Sequence, residues 1–223
     1  MALMRICRAL CVAALMLLAT SATAANPWPT PQTGGEWALA IIDVETTGLD
    51  PGHAEMIDIG AVYTDLDGNV LGRFFTRMMP PHPGRIHPGA AAVNGFSAER
   101  WQALGAPAEA EAAARFLEFH EQAAAGRRVI FTAYNAPFDR GFVDAWLRRN
   151  GSSFDALFAY MPLDLPSVAW GRGLRAMGGA QLAGMLGVAP EPNDPLQHTG
   201  ETGAEWNLMV YRALLGQAVP PGK

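Results

Sequence analysis

The sequence predicts an α/β layer built on a mixed sheet, in one domain. Apolar or alternating runs come first along the chain, and helical and strand patterns then alternate. Of the 223 residues, 50% are hydrophobic and 17% charged. That composition suits a single globular core and excludes a disordered, collagen-like or disulfide-built chain. No internal repeat and no second domain is visible.

Residues 1–24 have the three parts of a secretory signal peptide. Arg5 and Arg8 give a positive start, Ala9 to Ala19 is almost wholly apolar, and Ala22-Thr23-Ala24 supplies small residues before the expected cut. The apolar run is shorter than the ~20 residues a spanning helix needs. The mature chain is therefore expected to be exported, periplasmic or extracellular, with no stable membrane association. Both cysteines, Cys7 and Cys11, fall in this segment. Structural disulfides and thiolate metal sites are thus excluded from the rest. Removing Arg5 and Arg8 also lowers the formal net charge from −5 to −7. An acidic chain argues against a broad phosphate-binding surface, but not against carboxylates that reach phosphates through metal ions.

Residues 25–36 are rich in proline and glycine and read as a linker. The fold is expected over 37–217, with a short tail at 218–223. Trp37 to Val44 is a short apolar run, read as a buried strand. Met56–Tyr63 and Val70–Met78 flank Asp67-Gly68-Asn69, a hairpin signal. A proline-rich crossing runs from Pro80 to Pro88. Ala108–Ala125 carries apolar residues at helical spacing, and Arg128–Ala133 reads as a fourth strand. Pro137–Arg149 is a helix stopped by Asn150-Gly151, and Gly179–Leu186 and Gly203–Leu215 are further helical segments.

Three short motifs carry chemistry. In Asp43-Val44-Glu45-Thr46-Thr47-Gly48, strand alternation turns Asp43 and Glu45 to the same face. Two adjacent carboxylates at the end of a buried strand repel unless a hard cation neutralises them, and oxygen ligands suit magnesium or manganese. Asn135-Ala136-Pro137-Phe138-Asp139 follows the fourth strand, and Pro137 at a first helical position puts Asp139 in the first turn. His198 stands in front of the last helix. Taken singly, each has a bland reading: a solvated acidic loop, a helix-start aspartate, a loop histidine.

Together, in this order and spacing, they resemble the DEDDh group of 3′–5′ exonucleases, the DnaQ-like branch of the ribonuclease H-like superfamily. The resemblance runs from about Trp37 to Leu215, with Asn94-Gly95-Phe96 and Asp164-Leu165 as further family-like elements. It implies a mainly five-stranded mixed sheet flanked by helices on both faces. It also implies phosphodiester hydrolysis with two Mg2+ or Mn2+ ions. Asp43, Glu45 and Asp139 would hold the ions and His198 would take the proton of the attacking water. Val44, Thr46 and Thr47 would hold the terminal nucleotide, with Asn135 and Phe138 shaping the site. The partner is then nucleic acid, single-stranded DNA ahead of RNA.

One departure stands out. The family pattern places an aspartate five residues after the histidine, and here that position is Gly203. Glu201 and Glu205 are the candidate substitutes, each about 200° around a regular helix from position 203 at ~100° per residue. Glu201 is the better of the two, because Gly200 and Gly203 would permit an irregular helix start. The rival expectation is a catalytically impaired exonuclease-like protein that binds nucleic-acid ends or a protein partner.

Overall fold

A computed structural model describes residue 30 and residues 33–216. The expected signal peptide, both cysteines and the C-terminal tail lie outside these. Among the described residues the strands β1 (Trp37–Thr46), β2 (Met56–Thr64) and β3 (Val70–Arg77) come first, after a single 3-10 turn at Gly34–Glu36. Two short helices occupy the crossing, α1 (Pro88–Asn94) and α2 (Ala98–Ala103), before the long α3 (Glu109–Ala124). Alternation follows as β4 (Arg128–Ala133), α4 (Ala136–Arg149), α5 (Phe154–Leu157), β5 (Leu163–Asp164), α6 (Leu165–Gly171), α7 (Gly179–Leu186) and α8 (Gly200–Leu214). Among the described residues, no helix is long and apolar enough to cross a membrane.

The five strands form one mixed sheet of order β3-β2-β1-β4-β5, with β1 at its centre. β1 pairs antiparallel with β2 and parallel with β4. A central strand has no solvent face, which is why β1 is nearly all apolar up to Ile42. Its alternation divides two cores. Ala38, Ala40, Ile42 and Val44 join a cluster with Phe116 of α3, Phe131, and Phe142 and Trp146 of α4. Leu39 and Ile41 point the other way, into a cluster with Leu182 of α7 and Trp206, Leu208 and Val210 of α8. The same period of two therefore puts Asp43 and Glu45 on the α8 side, at the carboxyl end of β1.

Besides the short helices α1, α2 and α5, which the sequence reading did not place, two elements differ from the sequence expectation. α8 starts at Gly200, three residues earlier than expected, because Thr199 and Thr202 form a reciprocal capping box. The helix start is regular, so the expected irregularity that would redirect Glu201 does not occur. β5 is only two residues long, too short to show alternation in sequence.

α8 is seated directly on backbone. A Cβ at Gly60 of β2 would stand 2.0 Å from the Gly200 carbonyl oxygen, and one at Gly200 would stand 2.5 Å from the Asp43 carbonyl oxygen. Both positions need glycine because no side-chain atom fits between strand and helix. Buried Asp58 of β2 completes the seat by accepting a 2.9 Å hydrogen bond from the Gly200 N–H.

Candidate active site

The carboxyl end of β1 opens into a cleft of about 390 Å³ lined by Asp43, Val44, Glu45, Thr46, Phe138, Asp139 and His198. Three distant segments of the chain converge there. β1 delivers Asp43 and Glu45. The turn from β4 into α4 delivers Asp139, whose Oδ1 accepts 3.1 Å from the Val44 N–H and ties the helix start to the strand. The loop before α8 delivers His198, whose Nε2 lies 3.1 Å from Glu45 Oε1. The His198 Nδ1 is 3.0 Å from the Pro192 carbonyl oxygen, which can only accept, so Nδ1 carries a proton and Nε2 faces the cleft.

The electrostatics follow from burial. Desolvation, then the neighbouring Asp139 and Glu45 charges, push the Asp43 carboxyl well above its ordinary value. Desolvation also raises Asp139 strongly, with the Val44 N–H opposing it. Asp58 is pushed up to about 7, first by burial and then by Glu45 across the strand pair. Its Oδ2 has no hydrogen-bond partner. His198 is raised to about 9, chiefly by its hydrogen bond to Glu45. In this arrangement His198 is a cation at neutral pH and accepts no proton until Glu45 lets go.

The donor set suits a hard divalent cation. Asp43, Glu45 and Asp139 offer only oxygens, and among the described residues no lysine or arginine lines the cleft. Glu45 is turned toward His198 and Asp139 toward the Val44 N–H. Among the described residues, no three histidine, cysteine, aspartate or glutamate side chains are already gathered to hold one ion. Cation binding would therefore draw Glu45 from His198.

Other expected residues are placed elsewhere. Glu201 is exposed on the outer side of α8 and lines a separate depression with Arg73 and Glu205. The regular helix start leaves it pointing away from the cleft, so the expectation that Glu201 joins the metal ligands is not met. Glu205 is held 2.6 Å from Arg73 Nε. Asn135 is exposed in the left-handed region, at φ 62°, as the cap of α4, and does not line the cleft. Thr47 is buried with its hydroxyl accepting from the Glu55 N–H, outside the cleft. Thr46 does line it, with its hydroxyl donating 2.6 Å to the Gly48 carbonyl.

Gly203 faces the site. A Cβ there would stand 2.2 Å from Asp43 Oδ2, so the Asp43 carboxylate lies where a side chain from α8 would begin. Sequence reasoning missed two groups. Asn94 of α1 donates through Nδ2 to Glu45 Oε2 at 3.3 Å and to the Thr46 carbonyl at 3.0 Å. Its motif, Asn94-Gly95-Phe96, was visible as a family element without a role. Glu191, in the loop between α7 and α8, also lines the cleft. No periodicity marks a loop glutamate between prolines.

The RNase T family model, described as Exonuclease, matches residues 40–174. Ribonuclease T of Shewanella frigidimarina is 29% identical over 185 residues, covering 77% of this chain and 81% of that protein. A PolC-type DNA polymerase III of Pediococcus pentosaceus is 31% identical over 121 residues, covering 54% of this chain but only 8% of the polymerase. The zinc-bound complex of E. coli exonuclease I with single-stranded DNA has a similar fold at TM-score 0.63 and 18% identity. That match covers 81% of this chain and 40% of exonuclease I.

Proposed function

Because the chain belongs to the RNase T family of exonucleases, we propose that it is an exported, divalent-metal-dependent 3′–5′ exonuclease acting on single-stranded nucleic acid, DNA ahead of RNA. The observation that carries this reading is the convergence of Asp43, Glu45, Asp139 and His198, from three separate segments, on one cleft. The single-stranded DNA bound by the exonuclease I neighbour supports the choice of polymer. The leader expected over residues 1–24 supports export.

Asp43, Glu45 and Asp139 would hold a pair of Mg2+ or Mn2+ ions. When bound, such a pair supplies an activated water and neutralises charge at the scissile phosphate. His198 takes a proton at Nε2, the nitrogen that faces the cleft, while the Pro192 carbonyl fixes Nδ1–H and the ring orientation. Moving Glu45 to a cation removes the largest cause of the raised His198 pKa and leaves the imidazole neutral enough to act as a base. Asn94 steadies the Glu45 carboxylate during that exchange. Val44 and Thr46 on the floor and Phe138 on the wall would hold the terminal nucleotide.

The test is digestion of a 5′-labelled single-stranded DNA oligonucleotide in Mn2+ and in Mg2+, with EDTA as control. A metal-dependent ladder shortening from the 3′ end is expected, and Asp43→Asn abolishes it without loss of fold. Undiminished cleavage by that variant would overturn the assignment. Gly203 favours a second reading, an impaired relative that binds nucleic-acid ends. Tight DNA binding without cleavage in either metal, by folded protein, would select it.

A further inference from the structure

We infer that Glu191 supplies the fourth carboxylate of the metal site, in place of the acid that the last helix does not provide. This rests on the reading of the cleft as a metal-dependent active site.

α8 contributes no carboxylate from the face it presents to Asp43. Gly203 has no side chain, and the Asp43 carboxylate lies against it. Glu201 points to solvent on the other side, and Glu205 is committed to Arg73. An acid must therefore arrive by another route if the set is to be complete. The loop that leads into α8 provides one. Glu191 lines the same cleft as Asp43, Glu45 and Asp139. Its side chain is only 26% exposed, and its Oε1 lies 3.7 Å from His198 Nδ1. That nitrogen already donates to the Pro192 carbonyl, so Glu191 is near the imidazole without being bonded to it.

Among the described residues, Glu191 accepts no hydrogen bond, and its ion pair with His198 is the sole salt bridge it makes. The imidazolium 3.7 Å away compensates this mostly buried carboxylate only in part, since it makes no hydrogen bond to it, and a bound cation would complete the compensation. Every other acid of the cleft is of its own sign, and the charges of Asp43, Asp139 and Glu45 all act on it or feel it. A divalent cation is the one ligand class that relieves all four at once.

The measurement is Mn2+ binding to the purified protein by titration calorimetry, in wild type and four variants. Wild type is expected to bind, and Asp43→Asn to lose binding. Glu191→Gln should weaken one site about tenfold or more. Glu191→Asp, which keeps the charge but withdraws it by one methylene, should show a similar loss. Glu201→Gln, the same charge change outside the cleft, should stay within twofold of wild type. Melting of metal-free Glu191→Gln should be no lower than wild type, showing that the fold is unharmed. Wild-type affinity in Glu191→Gln overturns the inference. So does full affinity in Glu191→Asp, since the group would then act only through its field. Failure of the underlying reading looks different: wild type does not bind Mn2+, or Asp43→Asn binds as well as wild type, and the inference falls with it.

Discussion

Two helices begin at the carboxyl edge of one sheet and meet β1 in opposite ways. α4 approaches with a side chain: Asp139 in its first turn reaches the Val44 N–H and turns its carboxylate to the cleft. α8 approaches with bare backbone: Gly200 presses on Gly60 and the Asp43 carbonyl, and Gly203 lies under the Asp43 carboxylate. A helix start can thus serve a site by the group it presents or by how closely it lets the sheet come. The first kind of contact carries chemistry and tolerates small shifts. The second carries position, and one methyl group is enough to disturb it.

The contrast is sharpest at Gly60. Gly60→Ala sets a Cβ against the Gly200 carbonyl, with backbone on both sides and nothing flexible to yield. A loss of about 3 kcal/mol is expected in chemical denaturation. A near-neutral result would mean that α8 slides freely over β2. At α4 the expected damage is chemical. Asp139→Asn keeps an oxygen for the Val44 N–H but removes the charge, and should lower kcat/KM about 10²-fold, near 2.7 kcal/mol, with melting largely unchanged. Equal losses of stability and activity would show that Asp139 serves mainly as a tie between helix and strand.

Proton binding gives a graded effect on the α8 side. Asp58, raised to about 7, and His198, raised to about 9, both hold protons more tightly in the folded chain. Their contributions are complete below the ordinary values of 3.8 and 6.5 and are lost as pH rises through about 7 and about 9. Metal-free protein should therefore melt lower at pH 9 than at pH 5, by roughly 5 kcal/mol or about 15 °C in Tm if both shifts are expressed in full. A Tm that rises across this range would contradict both assignments. The least effect is expected at Gly203→Ala. The new methyl meets the movable Asp43 carboxylate rather than backbone, and the helix gains roughly 1 kcal/mol of propensity. A net change within about 1 kcal/mol should result. A loss as large as that of Gly60→Ala would show that Asp43 cannot turn aside.

How much of this was legible in sequence follows the same division. Asp43 and Glu45 were readable because strand alternation needs only the chain itself, and Asp139 because proline marks a helix start. His198 was readable by its place before the last helix. Groups that act through close approach were not. Gly60 sits inside an ordinary apolar strand pattern, and only the seating of α8 reveals why it has no side chain. The start of α8 was missed because its capping box uses Thr202 in place of the usual glutamate or glutamine. Asn94 lies in a helix of seven residues, and Glu191 in a loop, where no repeat points to a face.

The Glu45–His198 pair has a consequence for how a polyanion meets this protein. A count of acids makes the cleft look forbidding to phosphate. Yet Glu45 is offset by an imidazolium, and Asp43 and Asp139 are held toward their protonated forms by burial. At rest the cleft is closer to neutral than its composition suggests. A cleft with no lysine or arginine among its described lining residues can then admit the end of a nucleic-acid strand without first overcoming a wall of like charge. Its acidity is held latent at the mouth and is expressed only where a cation can take it up.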